Sequence, residues 1–180
     1  MDAARAVVLE RGARAATIGA IASASGAPTG SIYHRFKSVD ELLARTWMRA
    51  MGRVQEALLS GASEDPVEAA VAGALAVYDF CLREPEDALL AASFRVGDFA
   101  GGELSDAGRA ALERLNSDVD PFLTGLAPRL GGRDQLDTAL LAIRDLPYGA
   151  ALAHIRNGTV PPAARRRRLE AAVRAVVAGG

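Results

Sequence analysis

Thr17-Ile18-Gly19-Ala20-Ile21-Ala22, then Gly26, then Thr29-Gly30-Ser31-Ile32-Tyr33-His34-Arg35-Phe36, is the stretch whose reading decides the fold. It reads as two short helices joined by a tight glycine turn. Thr17 is placed to cap the first, its hydroxyl accepting a backbone N–H that has no partner within the helix. Ile18, Ile21 and Ala22 recur at spacings of three and four, so they share one face. Gly26 supplies the left-handed backbone that a short inter-helix turn requires. Pro28 sets φ at the entry to the next helix, where its missing N–H would be unpaired in any case. Ile32 and Phe36 are predicted to pack back onto the preceding helices, leaving Thr29, Gly30, Ser31, Tyr33, His34 and Arg35 to face outward. Hydroxyls, a phenol and a guanidinium bond phosphates and base edges, and a glycine lets one backbone approach another. This is the pattern of a helix-turn-helix, which lays its second helix in the major groove of duplex DNA.

With Glu10-Arg11-Gly12 ahead of it and Glu41-Leu42 behind, the segment resembles the TetR/AcrR-type transcriptional regulators over roughly residues 1–45. The resemblance implies an all-α chain. An N-terminal three-helix helix-turn-helix DNA-binding domain (1–45) is followed by a helical-bundle ligand-binding and dimerisation domain (46–180). It implies phosphate or base contact at Thr17, Thr29, Gly30, Ser31, Tyr33 and Arg35, with His34 on the same outer face. Tyr33 is expected to anchor phosphate. Arg35 is expected to read a base, since arginine bonds guanine bidentately. The sequence departs from the family at Val39, where a lysine is usual, and Lys37 is expected to substitute for it. Ala13 and Ala27 replace larger residues, which implies a looser small-domain core. Family members commonly carry a basic arm ahead of the position of Asp2, whereas this sequence starts at Met1; a shorter arm lowers the expected affinity for phosphate, not the fold.

Half of the residues are hydrophobic and only 5% aromatic, so the core is built from Ala, Leu and Val, a composition that favours helix. The net charge of −1 is divided unevenly. Residues 1–60 carry +3 and residues 61–180 carry −4, a basic head on an acidic body, which suits a protein that presents one end to phosphate. A single cysteine, Cys81, excludes an internal disulfide and fits a reducing, cytoplasmic setting. No apolar run approaches the ~20 residues that cross a bilayer, so no membrane partner is expected.

Beyond the motif, helical periodicity continues. Ser38 and Glu41 form a capping-box pattern opening a helix that runs on Leu43, Trp47, Met51, Val54 and Leu58 to about Ser60. Asp65-Pro66 with Glu68 opens the next, faced by Val67, Val71, Ala74, Tyr78 and Cys81. A short helix is predicted over Leu89–Phe99, ending at Gly101-Gly102. One long helix is predicted from Ser105 to Gly131-Gly132 on Leu112, Leu115, Val119, Phe122, Leu126 and Leu130. Two more are predicted over about Asp134–Arg156 and Pro162–Ala178. Pro121 and Pro147 fall inside these patterns and predict kinks, either shaped to neighbouring helices or lying beside a ligand cavity. No segment alternates as a strand should.

Tyr78, Cys81, Phe94, Phe122, Tyr148 and His154 are the body's candidate pocket residues, each with core packing as its alternative reading. His34 and His154 lie far apart and, with one cysteine, lack metal-ligand spacing; no metal and no cofactor are expected. No nucleophile–base pair or phosphate-cradling loop is present, so an enzyme is not expected. Arg165 through Arg168 oppose the dipole at the start of their helix. They read as a solvated face or interface ion pairs sooner than as a second nucleic-acid patch.

The expected function is a ligand-responsive homodimeric regulator, a repressor by resemblance. Its partners would be a near-palindromic double-stranded operator and a small-molecule effector. The homodimer would form through the last two helices, where Gly149, Ala150, Ala151 and Ala153 permit close approach. The alternative is a TetR-like small-molecule or partner-binding module that has lost specific DNA binding.

Overall fold

In a computed structural model, the described residues are 1–61, 63–117, 119–130 and 135–178, and they form helices and turns without a strand. The helices are α1 (Asp2–Arg11), α2 (Ile18–Ser25), α3 (Thr29–Arg35), α4 (Val39–Leu59), α5 (Pro66–Arg83), α6 (Pro85–Ala91), α7 (Asp106–Glu113), α8 (Val119–Leu130), α9 (Gln135–Leu140), α10 (Leu146–Arg156) and α11 (Ala164–Ala178). The chain divides into two compact units. One is Met1–Gly52 with Glu86–Leu115, and the other is Arg53–Pro85 with the residues from Asn116 on.

The first unit is built on an apolar centre of Val7, Val8, Ile18, Ile21, Ile32, Leu42 and Trp47. Trp47 donates its indole N–H to the Ala91 carbonyl at 3.0 Å, and its ring lies 5.4 Å from that of Phe99. Arg5 on α1 pairs with Glu86 and Asp87, and Arg49 on α4 pairs with Asp2 at 2.5 Å. At the start of α4, Ser38 Oγ accepts the Glu41 N–H at 3.1 Å, as the capping box requires. The Glu41 carboxylate completes the box one residue early, accepting from the Lys37 N–H at 3.0 Å. It also takes the Ser105 hydroxyl at 2.6 Å, the Ser105 N–H at 3.3 Å and the Arg45 guanidinium at 2.9 Å. Segment 102–105 is therefore tied to the first turn of α4.

The second unit centres on α5, against which α10, α11, α8 and a π-helical turn at Leu141–Asp145 pack. Asp65 caps α5 by accepting the Glu68 N–H at 2.9 Å, with Pro66 in the first turn. Arg166 bridges to Asp79 through both nitrogen arms, at 3.0 and 2.9 Å, and Arg174 reaches Glu68. Arg165 donates to His154 Nε2 at 2.8 Å. Two of the four clustered arginines thus fasten α11 to α5 and α10, which accounts for cations placed at an unfavourable helix end.

Four predicted elements differ. The long helix from Ser105 is two helices, α7 and α8. The chain turns at Asn116, whose carbonyl accepts from the Val119 and Asp120 N–H groups and whose side-chain oxygen accepts from Gln55 at 3.1 Å. Pro121 consequently sits in the first turn of α8, where its missing N–H is harmless, and no mid-helix kink arises there; Pro128 is the proline inside that helix. The helix predicted at Leu89–Phe99 is α6 followed by a 3-10 turn (Val96–Phe99), closed by Asp98 accepting the Arg95 N–H at 2.7 Å. Just before Pro147 the helix widens into the π turn: the Leu146 N–H bonds the Leu141 carbonyl five residues back. Ala151 is buried inside its own unit, while Gly149 and Ala153 are exposed. The predicted helix stop at Gly131-Gly132 and start at Asp134 lie outside the described residues.

Candidate nucleic-acid interface

The motif residues form the arrangement that their spacing predicts. Thr17 accepts the Ala20 N–H at 3.2 Å, leaving its hydroxyl hydrogen free to donate to a phosphate oxygen. Gly26 ends α2 in the left-handed region, at φ 67°. Pro28 stands just before α3 with extended backbone, one position earlier than a first-turn proline.

Helix α3 turns one side chain inward: Ile32 is buried, and Phe36 follows half-buried at the helix end. Thr29, Gly30, Ser31, Tyr33, His34 and Arg35 are all exposed, as are Thr17 and Lys37. Tyr33 is 58% exposed. The Arg35 guanidinium lies 6.0 Å from the Phe36 ring, a contact that steadies the side chain without consuming its donors. A Cβ added at Gly30 would meet nothing within 4 Å, so the glycine answers no packing need inside the chain.

Charge at this end is partitioned by folding. Within Met1–Gly52, Arg5, Arg11, Arg45 and Arg49 are held by carboxylates. Arg14, Arg35 and Lys37 are exposed without an ion pair among the described residues. Arg14 belongs to the 3-10 turn Ala13–Ala15, immediately before the Thr17 cap. Helical periodicity could not single it out, because a turn has no face; its charge was the only signal.

Of the six pocket candidates, five lie in the second unit, where Tyr148 neighbours Cys81. Phe94 belongs to the first unit, its ring 5.3 Å from Phe99. Tyr78 and Cys81 are buried on α5, and burial pushes the Cys81 thiol up to about 12. Phe122 is half-buried on α8. Tyr148, on α10, has a hydroxyl sealed from solvent, and burial followed by the neighbouring Cys81 pushes its pKa well above the phenolic range. His154 is occupied structurally: because a guanidinium only donates, its Nε2 accepts from Arg165, and Nδ1 lies 3.0 Å from Thr159 Oγ1. Among the described residues no group of three His, Cys, Asp or Glu could hold a metal ion, and no helix is long and apolar enough to cross a membrane.

A small helical unit with an exposed polar helix after a glycine turn is the arrangement of a helix-turn-helix. Residues 1–46 match the family profile of bacterial regulatory proteins, tetR family. Over its whole length the chain is similar to a TetR-like transcriptional regulator from Rhodococcus sp. RHA1, at 23% identity and a TM-score of 0.66, covering 99% of this chain and 93% of that one. It is also similar to the ketosteroid transcriptional regulator KstR2 of Mycobacterium tuberculosis, at 18% identity and a TM-score of 0.62, covering 99% and 91%. No curated protein sequence matches it. The chain has the fold of TetR-like transcriptional regulators, and its N-terminal residues are similar to the tetR family's.

Proposed function

We propose that this chain is a ligand-responsive homodimeric repressor, with residues 1–45 as its DNA-binding domain and 46–180 as its ligand-binding and dimerisation domain. The observation that supports this most directly is α3, which buries Ile32 and exposes every polar residue around it. In this reading Tyr33, Thr17, Thr29, Ser31 and Lys37 bond phosphates, Gly30 admits the DNA backbone, and His34 and Arg35 face base edges. Arg14 adds a phosphate contact from the turn before α2. Two such heads, paired through α10 and α11, would read successive major grooves of a near-palindromic operator. An effector held in the second unit would favour a head spacing that no longer matches the operator, acting through its differential affinity for two states.

The test is fluorescence anisotropy against DNA flanking the protein's own gene, over a range of salt concentrations. Specific binding that weakens steeply with salt, and that scrambled DNA does not reproduce, is the expected result. Binding that scrambled DNA matches at every salt concentration would favour the module that has lost its operator. Arg35→Ala should relax preference at one base position by about 1–3 kcal/mol. Tyr33→Phe and Arg14→Ala should weaken all sequences about equally, and Arg14→Ala should also flatten the salt slope.

A further inference from the structure

Three features of the second unit meet at the start of α10. The π turn at Leu141–Asp145 inserts an extra residue into the helical path; such turns are found mostly as single insertions, frequently at functional sites. Pro147, buried two residues after it, brings no N–H to the carbonyls one turn back. Tyr148 follows, and its hydroxyl is the one buried side-chain polar atom among the described residues that lacks a hydrogen-bond partner. Native interiors pair nearly all such atoms, so a sealed hydroxyl with no partner in the chain calls for one from outside it.

The partner's chemistry can be read from what surrounds the hydroxyl. It is sealed within a single chain, so a second copy docking on the outer face of α10 would not reach it. Among the described residues, burial and the neighbouring Cys81 thiol are what act on its titration. Tyr78 differs, since Arg165, Asp79 and Arg166 all act on it. The buried charged side chains among the described residues, Glu41 and Asp87, both belong to the first unit. A charged ligand entering the second unit beside Tyr148 would lose its hydration without gaining a counter-ion there.

We infer that the second unit binds a neutral, predominantly apolar effector carrying a hydrogen-bond acceptor, a ketone or ester oxygen, to which the Tyr148 hydroxyl donates. This rests on the ligand-responsive reading above and specifies its ligand.

Two measurements on the full chain test it. The first needs no ligand: thermal unfolding of Tyr148→Phe, which should leave Tm unchanged or raised, because the lost hydroxyl had no partner. A fall of several degrees would mean that the hydroxyl is paired within the fold, and would overturn the inference. The second is isothermal titration calorimetry with decanone, decanoate and decylamine, and with the rigid pair camphor and camphorsulfonate. A ketone should bind at least about tenfold more tightly than its charged counterparts, and Tyr148→Phe should weaken the ketone by about tenfold while leaving the charged probes unaffected. Failure of both ketones to bind, or tighter binding of a charged probe, would overturn the inference. Operator release separates the two levels. A charged probe that binds more tightly and releases DNA would sink the neutral effector and leave the regulator standing. A ketone that binds through Tyr148 without affecting specific DNA binding would support the site and sink the ligand-responsive reading.

Discussion

The two units bury different chemistry. In the first, Glu41, Thr46 and Asp87 are enclosed, and Glu41, only 2% exposed, carries bonds from Lys37, Arg45 and Ser105. The second has no buried charge among its described residues; its polar interior is Tyr78, Cys81 and the hydroxyl of Tyr148. Directional bonds hold the first turn of α4, just after α3, in one geometry. A mostly apolar interior tolerates changes of shape better, because dispersion and burial have no preferred direction.

The comparison is most directly broken at Glu41. Glu41→Ala strands the Lys37 and Ser105 amides and leaves Arg45 without its carboxylate, and should destabilise the first unit by about 3 kcal/mol. The probe is the chain's single tryptophan, Trp47, which is buried in that unit and reports its unfolding in urea. A loss under about 1 kcal/mol would show that the network merely decorates an apolar core. Gly26→Ala comes next. Its cost is purely conformational, since an added Cβ meets nothing within 4 Å, and about 1–2 kcal/mol is expected from the left-handed backbone alone. The same substitution at Gly30, inside a helix, should leave stability unchanged or improved while weakening DNA binding.

Titration should divide the units by pH. Burial would raise the Glu41 carboxyl, but the Ser105 hydroxyl, the Lys37 amide and Arg45 outweigh it and hold it below its ordinary 4.5. Its folded pKa is therefore depressed. Its contribution is whole above 4.5 and is lost as pH falls through the folded value, so acid should loosen the first unit. Cys81 behaves in the opposite sense. Raised by burial from 9 to about 12, its contribution is whole below 9 and is lost as pH climbs toward the folded value, so alkali should loosen the second unit. Hydrogen exchange resolved by peptide, at acid and alkaline pH, checks both directions; Glu41→Gln and Cys81→Ala should each flatten one limb. The smallest effect is Arg166→Ala. The pair with Asp79 is about half exposed, and urea unfolding should register less than about 1 kcal/mol.

Local sequence was most legible where local physics decides. The Thr17 cap, the Gly26 turn and the single inward residue of α3 depend on near neighbours, and the structure shows all three. The break between α7 and α8 was harder to read, because a continuous apolar stripe passes through Asn116, whose backbone bonds reveal the turn. The pocket candidates were chosen as aromatic and polar residues on apolar faces, a criterion that cannot tell which unit a residue joins; Phe94 joined the first.

By itself, the sequence determined the all-helical class, the helix-turn-helix and the residues exposed on its second helix. Periodicity, caps and turn glycines act over four residues or fewer, and each leaves its mark in the order of the chain. Tertiary structure alone decided that Ser105 would meet Glu41, that Arg165 and Arg166 would find His154 and Asp79, and that Tyr148 would neighbour Cys81 with its hydroxyl buried and unpartnered. Those pairings join residues from 11 to 87 positions apart. Only the packing of whole helices brings such distant groups within bonding range, and no local pattern encodes it.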